Sequence, residues 1–251
     1  MIVSHKHRFI YLHCRKTAGS SIAVSLSRYL GGMDIQLSGI VDAIDYGVRP
    51  PKRMIFEALA SPCLRSMGGI LTKDKGFWRF VSSSVKKKYE QKLGPVPQHA
   101  PATNVAECFK EEWGNYFKFC VVRNPWSQVV SDYIWQFGVE CKNVTFKYYV
   151  NALYEKRVIK GMGHPDRGNW NKYTIDDKVV VDKVVYYENL DTGLRDVLSE
   201  AGLPWDGWLP NAKRIISPGN KKKYRDYYDD EIADKVAYLY RKEVDAHGYV
   251  F

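Results

Sequence analysis

The sequence predicts an α/β fold, with a parallel β-sheet covered by helices on both faces and a single domain over residues 1–251. Three observations carry this expectation. Short apolar runs lie at Phe9–Leu12, Phe117–Val122 and Val179–Tyr187, and a helical pattern follows each. The third is almost continuously apolar apart from Asp182 and Lys183, and runs this short suit strands buried on both faces. Strands alternating with helices in the chain order a parallel sheet. At 251 residues the chain is long enough to bury a sizeable core.

The first unit runs from Arg8 to Ser27, R-F-I-Y-L-H-C-R-K-T-A-G-S-S-I-A-V-S-L-S. After the apolar run comes a tight basic turn, Arg15 to Gly19. Ile22, Leu26 and Leu30 then recur at i, i+4 and i+8, which puts them on one helix face. Strand, basic glycine-containing turn and helix together make a P-loop-like phosphate cradle. Backbone N–H groups converge on the anion, the helix dipole favours it, and Lys16 supplies the counter-charge. The order differs from the nucleoside-triphosphate loop, where Lys follows the second glycine and precedes Ser or Thr. Here Lys16 precedes Gly19. An ordinary turn with a capping serine is the plainer alternative.

Gly31-Gly32 ends this unit, and residues 33–48 are weakly patterned. Residues 53–97 hold a short apolar segment at Met54–Leu59 and a helical stretch over Phe77–Leu93. Gln98-His99-Ala100-Pro101 follows in a loop stiffened by Pro97 and Pro101. Asn104 and Glu107 have capping-box spacing and predict a short helix reaching Trp113. The strand Phe117–Val122 leads into Arg123-Asn124-Pro125 and a helix from Trp126, with Pro125 suited to the first turn. Val129, Val130, Tyr133 and Phe137 form its apolar face. Residues 138–178 are polar and aromatic, with glycines and a proline marking loop. A helix near Thr192–Ala201 stops at Gly202, Leu203–Tyr228 reads as a basic loop, and Asp229–Val244 as the last helix. Residues 53–97 and 138–178 are the expected variable, acceptor-side segments.

Composition narrows the function. Apolar residues make up 45% and charged residues 26%, the balance of a soluble globular protein. No apolar run approaches the ~18 residues of a membrane span. The N-terminus shows no apolar signal region, and the five cysteines are scattered without metal-ligand spacing, so the expected setting is a reducing cytoplasm. The net charge of +10 favours polyanions. No nucleic-acid module is recognisable, so nucleic acid is not the expected partner. The lysine runs 86–88 and 221–223 read as solvated faces.

Arg123 follows a parallel strand, at the end where open α/β sheets bind ligands, and its guanidinium can grip a phosphate bidentately. Ser131 lies two turns into the next helix. Alone, either could be an ordinary cap or helix serine. Together the two motifs are more specific. K-T-A-G-S-S resembles the 5′-phosphosulfate loop of sulfotransferases that use 3′-phosphoadenosine 5′-phosphosulfate (PAPS). R-N-P-W-S-x-x-V-S-x-Y resembles the 3′-phosphate motif of the carbohydrate sulfotransferases, including the 2-O-sulfotransferases and their bacterial relatives. V-V-Y-Y-E-N-L, the Lys/Tyr-rich loop and the C-terminus are similar to the bacterial branch. The likeness covers residues 8–27, 98–137 and 180–251. It departs at Arg15, where the family usually has proline, and at His247, where phenylalanine is common.

The resemblance implies PAPS as sulfuryl donor, its desulfated form PAP as product, and no metal. It assigns Lys16, Thr17, Ala18, Gly19, Ser20 and Ser21 to the 5′ end, where Arg15, in place of the family's proline, offers a further phosphate donor on a less rigid turn. It assigns Arg123 and Ser131 to the 3′-phosphate, and Lys221 and Tyr224 to further nucleotide contacts. The plainer reading of Lys221 and Tyr224 is a solvated basic loop. Transfer is an in-line displacement that needs a base for the acceptor hydroxyl and a cation for the leaving phosphate. His99, about twenty residues before Arg123 as in the resembling families, is the candidate base, and Lys16 the cation. His13 reads as a packed core residue. His164, Arg167 and Trp170 are candidate acceptor contacts for a hydroxyl-bearing carbohydrate, an anionic glycan included, or for a small metabolite. A nucleotide kinase with a degenerate loop and a non-catalytic polyanion-binding module are the competing classes.

Overall fold

A computed structural model describes residues 1–60, 75–138, 143–160, 167–212 and 222–251. The chain forms two compact units interleaved in sequence. One comprises residues 1–14, 18–122 and 171–213, the other 15–17, 123–170 and 214–251.

The first unit is built on a five-stranded sheet. Its strands are β1 (Ile2–Ser4), β2 (Phe9–Leu12), β3 (Ile35–Gln36), β4 (Phe117–Val122) and, past a separate ribbon of β5 (Thr174–Ile175) and β6 (Lys178–Val179), β7 (Lys183–Tyr186). The order is β3-β1-β2-β4-β7. Strands β2, β4 and β7 run parallel, with Tyr11 opposite Phe119 and Val121 opposite Val185. Strand β1 is antiparallel to both β2 and β3. The expected all-parallel sheet is therefore corrected to a mixed one. The cause is local: residues 5–8 make a tight turn, with Arg8 at φ 55°, and fold β1 back onto β2. The Asp34 carboxylate ties that turn down by accepting from the backbone N–H groups of His5 and Lys6.

Strand β2 is buried at all four positions, as its unbroken apolar run requires. Helices α1 (Gly19–Ser27) and, much later, the one over Leu190–Glu200 share a core with the sheet that includes Phe9, Tyr11, Ile22, Phe119 and Leu194. Between them come α2 (Ile40–Asp45), α3 (Lys52–Leu59), α4 (Lys75–Leu93), a 3₁₀ turn at Pro97–His99, α5 (Ala102–Cys108) and α6 (Lys110–Asn115). The expected Asn104 capping box does not form. Helix α5 already starts at Ala102 on Pro101, which puts Asn104 inside it.

The second unit holds α7 (Pro125–Phe137), α8 (Phe146–Tyr154), then, beyond the short α9 (Trp170–Tyr173) and α10 (Leu190–Glu200), α11 (Asp230–Leu239) and α12 (Arg241–His247). The expected last helix breaks at Tyr240 into two. Trp126, Tyr133, Phe146, Tyr149 and Val236 centre its core. The Trp126 indole donates to Ala233 O at 2.9 Å, satisfying the polar end of a buried ring.

Candidate functional site

In the second unit, Arg15–Thr17 meets the start of α7. Lys16 has φ 62°, a left-handed conformation without glycine, and Ala18 after it has φ 60°. Each costs a non-glycine residue ~1–2 kcal/mol. Such strain persists only where surroundings over-determine it. Arg123 is one such constraint. Its Nη1 donates to Lys16 O at 3.0 Å, while its Nε and Nη2 donate to Ser127 Oγ at 3.0 and 2.7 Å. Asn124 caps α7, its Oδ1 accepting from the N–H groups of Trp126 and Ser127 at 3.1 and 3.3 Å. Pro125 takes the first helical position, as expected.

Helix α7 presents two neighbouring rows at i, i+4, i+8 spacing. One is Ser127, Ser131 and Trp135. Lys16 Nζ lies 4.7 Å from the centre of the Trp135 ring, a cation–π contact on an indole that is 48% exposed. The other row is Gln128, Asp132 and Gln136, of which the first two are buried. The Asp132 carboxylate accepts from Tyr149 Oη at 2.8 Å and Gln136 Nε2 at 3.1 Å, and lies 3.6 Å from Arg167 Nε. Arg167, itself buried, donates to Gln136 Oε1 at 2.9 Å.

Arg15, Lys16, Arg123 and Arg167 thus act on one neighbourhood in which Asp132 is the carboxylate felt by Lys16. Burial brings the Lys16 ammonium down to about 8. Asp132 opposes that shift, and the three arginines add to it. Burial lowers Arg15 as well, and its buried Nε has no hydrogen-bond partner among the described residues. Four cations around Asp132, with a guanidinium N–H that has no acceptor among the described residues, make an arrangement that a multiply charged anion satisfies.

The first unit holds the histidines. His99 Nδ1 lies 2.8 Å from His13 O. A carbonyl only accepts, so Nδ1 carries a proton, and the second ring nitrogen, Nε2, is the one at which the neutral ring would be basic. The two imidazoles approach to 4.4 Å between centres, and His13 stacks on Tyr11 at 5.8 Å. His13 is buried, as expected, and it also sets a constraint: a Cβ at Gly19 would overlap its ring. Glycine opens α1 because an imidazole occupies that space. Helix α1 has no side-chain cap. Ser21, near its start, is engaged from elsewhere, its Oγ accepting from Ala212 N at 3.2 Å.

The remaining expected residues sit as follows. Thr17 is buried. Ser20 follows Gly19 in the first turn of α1. Ser131 lies one turn beyond Ser127, on the same face of α7. Tyr224 opens a 3₁₀ turn and packs edge-on against Phe251 at 6.3 Å. Trp170 meets His247 edge-on at 6.5 Å. His164 and Lys221 lie outside the described residues. Sequence reasoning missed Ser127 and Trp135, although their spacing to Ser131 would have placed all three on one face.

The model of the sulfotransferase family matches residues 1–249. The chain belongs to the sulfotransferase family. The match runs through both the Lys16–Ser21 and the Arg123–Tyr133 motifs, and transfer of a sulfuryl group is the activity this family supports. The sulfotransferase is also 34% identical over 101 residues to an uncharacterized protein of Archaeoglobus fulgidus, a match covering 38% of this chain and 75% of that protein. No solved structure matches it. Among the described residues no helix is long and apolar enough to cross a membrane.

Proposed function

We propose that residues 1–251 form one sulfotransferase domain that moves a sulfuryl group from PAPS to a hydroxyl of a carbohydrate or another hydroxyl-bearing acceptor in the cytoplasm of a bacterium. The observation that carries the donor assignment is the strained Lys16 turn, surrounded by Arg15, Arg123 and Arg167 and held at its carbonyl by Arg123. When bound, PAPS supplies an activated sulfuryl group on a phosphate leaving group.

In this reading Lys16 neutralises charge developing on the leaving phosphate. Its depressed pKa leaves it protonated at neutral pH but responsive to an added anion. Arg15 and the start of α1, Thr17 to Ser21, bind the same end. Arg123 and Ser131 bind the 3′-phosphate, with Ser127 aligning the guanidinium, and Tyr224 and Lys221 add nucleotide contacts. His99 Nε2 takes the acceptor proton, since Nδ1 is committed to His13 O. His164, Arg167 and Trp170 belong to the acceptor side. The exposed face of Trp135 is a further stacking surface for a sugar ring.

The test is transfer from PAPS to a panel of glycans and small alcohols, with wild type, His99→Ala and Lys16→Ala compared. Loss of transfer in both variants supports His99 as base and Lys16 as leaving-group cation. Full activity in both contradicts the mechanism, and transfer confined to small alcohols contradicts the glycan acceptor.

A further inference from the structure

Asn169 is 2% exposed, and its side chain pairs with the backbone of Arg15 in both directions. Oδ1 accepts from Arg15 N at 2.7 Å, and Nδ2 donates to Arg15 O at 3.1 Å. The same Nδ2 donates to Gln128 Oε1 at 2.9 Å, and the backbone N–H of Asn169 donates to Glu243 Oε1 at 3.0 Å. Gln128 and Glu243 are themselves buried, so the side-chain amide is held by the first and the backbone of Asn169 by the second. A primary amide carries a donor and an acceptor side by side, so it can pair with a peptide group as a strand would.

The residue held in this way immediately precedes Lys16. Asn169 grips the N–H and C=O of residue 15, and Arg123 grips the C=O of residue 16. Between those grips the backbone turns left-handed with no glycine to ease it. A proline at position 15 has no N–H, so the shorter of the two Asn169 bonds requires a residue other than proline there.

We propose that Asn169 is a positioning residue that holds Lys16 in the left-handed conformation from which it meets the phosphosulfate end of the donor. The proposal rests on Lys16 acting at the leaving phosphate. Arg15→Pro would remove a backbone donor together with a cationic side chain. Arg15→Met isolates the side chain.

The test combines amide hydrogen exchange at Arg15, read by NMR in the free protein, with PAP affinity by calorimetry. The variants are Asn169→Ala and Asn169→Asp, each checked for a native melting transition. Asn169→Asp keeps the acceptor for Arg15 N–H and loses the donor. The expected results are Arg15 exchange at least about tenfold faster in Asn169→Ala and PAP affinity about five- to tenfold weaker, the size of one or two lost hydrogen bonds. Asn169→Asp should keep Arg15 exchange slow. In an Arg15→Pro background, Asn169→Ala should cost clearly less PAP affinity than it does in the wild type. Unchanged Arg15 exchange in Asn169→Ala, or an equal loss in both backgrounds, overturns the proposal. Absence of PAP binding by the wild type instead overturns the donor assignment, and exchange at Arg15 still decides whether the clamp exists.

Discussion

Helix α7 begins on Asn124, whose carboxamide accepts from the N–H groups of Trp126 and Ser127, with Pro125 removing one further donor. Helix α1 begins on Ala18, which has no side chain to cap anything and is itself left-handed. The two strand-to-helix turns look alike in sequence and differ in what they leave for a ligand. The α7 terminus is internally satisfied, so in the proposed reading anion binding there falls to the Arg123 side chain, whose guanidinium donates to Ser127 Oγ. The α1 terminus has no side-chain cap, and the backbone before it is left-handed at Lys16 and Ala18. Under the proposed function, one loop binds with its backbone and a lysine, the other with a guanidinium.

The largest expected effect tests the chemistry on the α1 side. His99→Ala should lower kcat by ~10²–10⁴-fold while PAP affinity stays within about twofold. A large loss of PAP affinity would instead make His99 a binding residue. Next comes the α7 side. Arg123→Ala should weaken PAP binding by ~10–100-fold, the cost of removing a charged donor from a phosphate and from Lys16 O. Asn124→Ala should leave that affinity unchanged while lowering stability by about 1–2 kcal/mol in a denaturant titration, because it removes the cap and the bond that Asn124 Nδ2 donates to Val250 O. If Asn124→Ala costs more PAP affinity than Arg123→Ala, the two turns do not divide the work between cap and guanidinium.

The third expectation concerns pH. Lys16 in the free protein titrates near 8, and a bound anion raises that value. Below pH 8 the lysine is protonated both free and bound, and PAP affinity should be flat. Above it, binding must take up a proton, so affinity should fall by up to about tenfold per pH unit. Lys16→Arg should abolish that decline. A decline that persists in Lys16→Arg assigns the titration to another group.

Much of this is legible along the chain. The strand Phe117–Val122 and the Pro125 helix start follow from an apolar run and a local φ preference, and the structure has both. The α1 turn is legible as an anion cradle because Lys, Gly and Ser are close in sequence. The edge strands are not. Strands β1 and β3 hold three and two residues, too few for alternation to show. The run Val179–Tyr187 reads as one strand, but Asp182 breaks it. Its N–H donates to Lys118 O and its carboxylate accepts from Lys118 N, which leaves only Lys183–Tyr186 in the sheet. Asn169 is invisible for another reason. Its partner lies 154 residues away in sequence, Asn169 itself falls in a stretch that reads as loop, and nothing local marks it.

The central claim is that the Lys16 turn and Arg123 grip the two phosphate ends of the same nucleotide. Calorimetry of PAP against adenosine 5′-phosphosulfate and ATP, with wild type and Arg123→Ala, tests this directly. Adenosine 5′-phosphosulfate lacks the 3′-phosphate. The wild type should bind PAP at least tenfold more tightly than either competitor, and Arg123→Ala should reduce that preference over adenosine 5′-phosphosulfate to near unity. Equal affinity for PAP and ATP in the wild type, or a preference that survives in Arg123→Ala, would contradict it.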